Sequence, residues 1–218
     1  STMGGVKNSV PPTLLVSAIA QIDDVTDALT LDVKTEGDAV YLLGLTRDET
    51  GGSEYYRLRG ALDGVAAAPG GPAPYVGNRV PVVDAAETLP LYRALEAAIR
   101  QRFVRSAATP ARGGLALALA RSAMAGALGL ELDLDVAPDL AELPPDVALF
   151  SESNGRFVVT VAPQDATAFT ALFGGLPCRR IGVVTASASL RATLGGTVRV
   201  DLPIAAMKAA YKETLAHV

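Results

Sequence analysis

The sequence predicts an α+β domain of layered type, a mixed and largely antiparallel sheet with helices packed on it. Two observations carry this. Short apolar or strictly alternating segments, the signature of strands, come in runs of one, two or three, with helical segments between the runs. A doubly wound parallel sheet would instead alternate strand and helix one for one. The composition then sets the packing: 50% of the 218 residues are hydrophobic and 19% charged, which excludes a disordered tail. With 38 alanines, 11 aromatics and no tryptophan, the core must be built from Ala, Val and Leu in close contact.

Residues 13–20 (TLLVSAIA), behind Pro11-Pro12, read as a short buried strand, and Leu29, Leu31 and Val33 alternate with polar residues as a half-exposed one. Residues 39–45 (AVYLLGL) are a second buried strand. Gly51-Gly52 precedes a short helix over 53–58, and the Pro/Gly/Ala-rich stretch 64–83 reads as an irregular loop. Asp84 with Glu87 has the spacing of a capping box, and Leu91, Leu95, Ala98, Ile99 and Phe103 form one stripe of a helix over about 85–102.

A short strand over 103–107 follows, then a helix over 114–127, apolar nearly all round and hence expected to be buried. Residues 129–135 alternate cleanly, with Leu130, Leu132 and Leu134 on one face. A connector with a helical turn spans 138–146. Residues 147–150 and 156–162 read as two strands joined by the polar turn Ser-Glu-Ser-Asn-Gly. Pro163 and Gly174-Gly175 bracket a helix in the favoured Pro-first, Gly-after order. Strands over 179–185, 189–194 and 197–201 follow, and Pro203 opens a last helix to about Ala216.

The counts exclude several function classes. Net charge is −4, with 19 scattered Lys and Arg, so no basic field exists for a nucleic-acid backbone. No apolar run reaches the length of a membrane-spanning helix, and no secretory pattern opens the sequence. One cysteine (Cys178) and one histidine (His217) rule out a disulfide scaffold, a Cys/His zinc site and a mid-chain catalytic histidine. The expectation is a reduced, cytoplasmic protein with neither a nucleic-acid nor a membrane partner.

Four segments could carry chemistry, and each has a plain structural reading beside it. Thr46–Tyr56, with its glycine pair before a helix, is an anion-binding helix start or an ordinary tight turn. Arg105–Leu115 ends in Gly113-Gly114, again a phosphate site or a turn. In Ser151–Arg156, Glu152 and Asn154 offer oxygen ligands to Mg²⁺ or hydrogen bonds to a substrate, or they simply form a polar hairpin turn. Cys178 beside Arg179 and Arg180 is an activated thiol or an inert, partly buried one.

The segments PPTLLVSAIAQIDDV, TEGDAVYLLGLTRDETGGSEYY, ALFSESNGRFVVTVAPQD and RRIGVVT, in this order, resemble phosphoribosylformylglycinamidine synthase (FGAM synthetase). The match is to the AIR synthetase-like C-terminal domain in the second half of its synthetase component. Residues 1–9, opening on STMGG, read as a tag scar and leader, and the resemblance implies two further parts, 10–35 the tail of a preceding domain with its linker and 36–218 the C-terminal domain. It implies an ATP- and Mg²⁺-dependent amidation of formylglycinamide ribonucleotide in purine synthesis, with ammonia derived from glutamine. The implied partners are the remaining synthetase domains, a glutaminase component and the nucleotide substrate.

By this resemblance Gly113, Gly114, Ser151 and Asn154 fall at ATP- or substrate-binding positions and Glu152 at a metal position, while no catalytic residue is assigned. The family's His-Asp-x-Ser-Asp/Glu-Gly-Gly motif aligns with Ala108-Thr109-Pro110-Ala111-Arg112-Gly113-Gly114, so its histidine and both acids are replaced here. A fragment inactive on its own is expected, because the resemblance places the catalytic histidine and most metal ligands in the family's first half, which these residues do not match. The alternatives are a non-catalytic scaffold domain of the same protein, or another member of the AIR synthetase superfamily. An exposed N-terminal strand at 13–20 would allow self-association.

Overall fold

The structure, a computed structural model, describes residues 15–64 and 76–213, and two two-residue strands, β1 (Thr2–Met3) and β2 (Val6–Lys7), which pair antiparallel. The main sheet has seven strands: β3 (Ala39–Leu43), β4 (Val104–Ala108), β5 (Gly129–Asp133), β6 (Phe157–Val161), β7 (Cys178–Thr185), β8 (Ser189–Leu194) and β9 (Thr197–Pro203). Their spatial order is β4-β6-β3-β7-β5-β8-β9. Only the β5–β8 pairing is parallel; the other five are antiparallel. The sheet is thus mixed and largely antiparallel, as the segment order predicts.

Both faces of the sheet's centre are covered, which is why β3 can be apolar at every position. Tyr41 and Leu43 of β3 face α2 (Ala85–Arg100) and α6 (Ala166–Ala171), packing with Leu91, Leu95, Ala98 and Phe169. Val40 and Leu42 face the other layer, α3 (Gly114–Gly126), α4 (Pro138–Ala141), α5 (Pro145–Phe150) and α7 (Ile204–Glu213). β5 shows the predicted alternation: Leu130 and Leu132 are buried and Glu131 and Asp133 exposed. Glu131 pairs with Arg191 of β8 on the open face at 2.5 Å. A short helix, α1 (Glu54–Leu62), completes the set.

Asp84 caps α2 as expected, its carboxylate accepting from the amides of Ala86 and Glu87 at 2.9 and 3.2 Å. The other half of the capping box does not form, because the Glu87 carboxylate binds Arg47 instead, at 2.6 and 2.7 Å. Four further expectations are corrected. Residues 147–150 lie in α5, not in a strand: Pro144-Pro145 fixes backbone torsions suited to a helix start, and a four-residue apolar run carries no period of its own. Residues 15–20 form no strand and are exposed, Ile19 completely; residues 13 and 14 lie outside the described residues. Residues 29–33 are irregular, because one bond, Ala107 N–H to Thr30 C=O at 3.1 Å, is all that joins them to the β4 edge. Helix α3 is buried on one side only, with Leu117 and Arg121 facing solvent. The predicted end of α7 at Ala216, His217 and residues 65–75 of the predicted loop also lie outside the described residues, and within 1–9 only β1 and β2 are described.

Candidate functional site

Three of the four segments singled out from sequence meet at one end of the sheet. The meeting depends first on glycine. Gly44 leaves β3 at φ +84°, and a Cβ there would lie 2.4 Å from the Gly155 carbonyl oxygen. Gly114 opens α3 at φ +66°, and its Cβ would lie 2.7 Å from the Phe150 backbone. These close approaches, and not only the left-handed torsions, exclude any side chain.

At the centre lies Arg156, fully buried at the entry to β6. Its guanidinium donates to the Ser153 carbonyl at 3.0 Å, the Thr46 hydroxyl at 2.9 Å and the Ser151 carbonyl at 2.6 Å. It thereby clamps the 151–153 turn to the start of the 46–53 loop. Burial pushes this guanidinium down to about 10, and Asp139, Glu49 and Glu152 oppose the shift. The serines reinforce the clamp. Ser151 Oγ donates to the Arg47 carbonyl at 2.6 Å, and Ser153 Oγ accepts from the Arg47 amide at 3.0 Å. Asp139 of α4 accepts from the Thr46 amide at 2.7 Å.

Glu152 joins all three segments. Its Oε1 accepts from the amide of Glu54, in the first turn of α1, at 3.0 Å and from the amide of Gly113, at the N-cap of α3, at 2.9 Å. Its own amide donates to the Glu49 carbonyl at 3.2 Å. Both carboxylate contacts satisfy donors that a helix start leaves unpaired, where the positive ends of the helix dipoles favour an anion. Arg112 closes the rim by pairing with Glu54. Tyr55 fastens α1 to α5: its ring stacks on Phe150 at 5.1 Å and its hydroxyl donates to Asp146 at 2.6 Å.

Each site residue named from sequence can now be placed. Ser151 is buried and occupied with the 47–49 backbone. Gly113 and Gly114 both have their amides engaged inside the chain, the first by Glu152 and the second by the Ala111 carbonyl at 2.8 Å. Glu152 bridges backbone amides, and Asn154 is exposed at the outer rim of the turn. The turn itself links α5 to β6, not two strands. Sequence reasoning missed Arg156, Glu49 and Asp139. An arginine set directly against the apolar run FVVTV was a readable signal for Arg156; the two acids act across long sequence distances and leave none. Glu49 is buried, with one carboxylate oxygen on the Val82 amide at 3.0 Å and the other without a partner among the described residues.

Among the described residues, no group of three or more His, Cys, Asp or Glu side chains is placed to hold a metal ion. One oxygen of Glu152 is already shared by two amides, so the donor set among the described residues does not fit a protein-held Mg²⁺. Cys178 takes no part: burial pushes its thiol up to about 12, against a weaker opposing effect of Arg179.

A layered α+β domain with glycine-hinged loops gathered at one sheet end defines a structural class, and comparison gives it a family. The chain matches the family of AIR synthase related protein, C-terminal domain, over residues 35–195, and it belongs to that family. Phosphoribosylformylglycinamidine synthase subunit PurL of Parafrankia sp. (strain EAN1pec) is 36% identical over 208 residues, 94% of this chain and 24% of that protein. The same subunit of Leifsonia xyli subsp. xyli is 33% identical over 94% of this chain and 25% of its own length. The chain therefore spans about a quarter of the length of these relatives. T. maritima PurL complexed with FGAR superposes with a TM-score of 0.64 at 20% identity, over 84% of this chain and 30% of that one. The T. maritima PurL complexed with ATP gives 0.59 at 18%, over 84% and 27%. These likenesses bear on the fold. No helix among the described residues is long and apolar enough to cross a membrane.

Proposed function

We propose that this chain is the C-terminal domain of the synthetase component of phosphoribosylformylglycinamidine synthase, and that it contributes a rigid wall to a ligand cleft instead of catalytic groups. The observation that carries the reading is the convergence of the 46–54, 111–114 and 151–156 segments on Glu152 and Arg156. In this reading the parent enzyme uses ATP and Mg²⁺ to activate the amide oxygen of formylglycinamide ribonucleotide, and ammonia then displaces phosphate. The remaining synthetase domains and a glutaminase component are the partners, in the cytoplasm. Asn154, exposed on the turn, is the residue placed to meet a ligand, while Ser151, Glu152, Gly113 and Gly114 hold the wall in shape. No step is assigned to Mg²⁺ in this chain.

A second reading, a non-catalytic scaffold domain of the same protein, is favoured by the internally satisfied amides of Gly113 and Gly114. Calorimetry with Mg-ATP and with the ribonucleotide separates the two. Binding that Asn154→Ala abolishes supports the ligand-facing wall, and no binding supports the scaffold. Ammonia- and ATP-dependent turnover by this chain alone would overturn both. The exposed apolar side chains Leu15, Val16 and Ile19 suit self-association, which light scattering over a concentration series reads directly.

A further inference from the structure

A hollow of about 340 Å³ lies between α3 and α7, away from the Glu152 site, lined by Leu31, Arg121, Met124, Ala125, Lys208, Tyr211 and Lys212. Its volume is within the range of small-molecule sites. Its charge is the unusual feature. Lys208 and Lys212, one helical turn apart on α7, converge with Arg121 from α3, and no carboxylate lines the hollow. None of the three cations is in an ion pair among the described residues, although the protein as a whole carries a net charge of −4. Asp32, the neighbour of Leu31, is held by Lys34 at 2.8 Å.

Three like charges gathered on one concave surface repel one another, and an anion bound among them relieves that repulsion. The arginine fork suits phosphate oxygens, while the lysines act as point charges. The rest of the lining is apolar or aromatic, from Leu31, Met124 and Tyr211, so the hollow has a surface for a non-ionic body as well. Arg121 also lines a second hollow of about 160 Å³ with Leu31, Ala108, Thr109 and Ala118, which extends the same groove along α3.

We propose that the α3–α7 hollow binds a phosphate-bearing small molecule, its anionic group held by Arg121, Lys208 and Lys212. The inference does not rest on the Glu152 site. The test is a titration of the isotopically labelled chain with inorganic pyrophosphate at constant ionic strength, followed by amide NMR. Saturable shifts centred on residues 121, 208, 211 and 212 are expected, with affinity falling about tenfold in Arg121→Gln and further in the Lys208→Gln/Lys212→Gln pair. Arg121 and Lys212 are exposed and Lys208 is half-buried, so the variants should fold. The absence of a saturable shift overturns the proposal. So do shifts centred on Gly113 and Glu152, which would instead favour the ligand wall proposed above, and shifts that the variants leave unchanged. Binding of a hexaglutamate peptide in place of pyrophosphate would mark a protein-docking surface and equally overturn it.

Discussion

Replacing Arg156 with Met keeps most of the side-chain volume and removes every donor. Three acceptors then lose their partner in a fully buried place: two carbonyls and the Thr46 hydroxyl. Each buried group left unpaired costs about 1–3 kcal/mol. The loss is less than the full sum, because the variant no longer pays to bury a cation and the Thr46 hydroxyl can rotate. Loss of the charge also removes one of the two cations near the buried Glu49, leaving Arg47 as the other. The net destabilisation expected is about 3–5 kcal/mol, the range found when one partner of a buried charged cluster is removed. With a urea dependence of about 3 kcal/mol per molar, reasonable for a chain of this size, the unfolding midpoint falls by about 1–1.7 M. Urea denaturation followed by circular dichroism measures this. A midpoint within about 0.3 M of wild type would show that the clamp does not hold the loops together.

Three further outcomes follow from the same structure. Gly114→Ala combines a left-handed torsion with a 2.7 Å approach to the Phe150 backbone, so it should lower the stability by more than the roughly 1 kcal/mol torsional cost; a thermal midpoint equal to wild type would contradict the geometry. Burial raises the pKa of Asp38 against the pull of Arg105, so its folded carboxyl holds its proton to higher pH than the unfolded one. Wild-type stability relative to Asp38→Asn should therefore fall as pH rises from about 4 through the raised value, and a flat or rising difference would refute that sign. Cys178, with its thiol at about 12, should react with an aromatic disulfide at pH 8 far more slowly than free cysteine, and labelling at the free-thiol rate would show it to be accessible and ionised.

The fold was legible where a segment's pattern matched one environment. The unbroken AVYLL run fits only a strand covered on both faces, and the Leu130, Leu132, Leu134 alternation fits only one with an open side. Asp84 announced α2 because a cap acts within three residues. The failures share a cause as well. VALF is too short to have a period, and the LVSAIA run of residues 15–20 is apolar without any local rule to say what it packs against. At the site, the residue types near Ser151–Arg156 could be named from sequence, but their roles could not. Whether Glu152 faces a ligand or a backbone depends on two helix starts, 39 and 98 residues away, that only the sheet topology brings to it.

The bridge made by the Glu152 carboxylate is what turns three loops into one wall, and site-resolved amide hydrogen exchange in wild type and Glu152→Ala tests it most directly. In the wild type the amides of Gly113 and Glu54 should be protected by their bonds to Oε1. In the variant both should exchange at least tenfold faster, while the amides within α2 keep their rates. Unchanged protection at Gly113 and Glu54 would show that the loops hold together without Glu152.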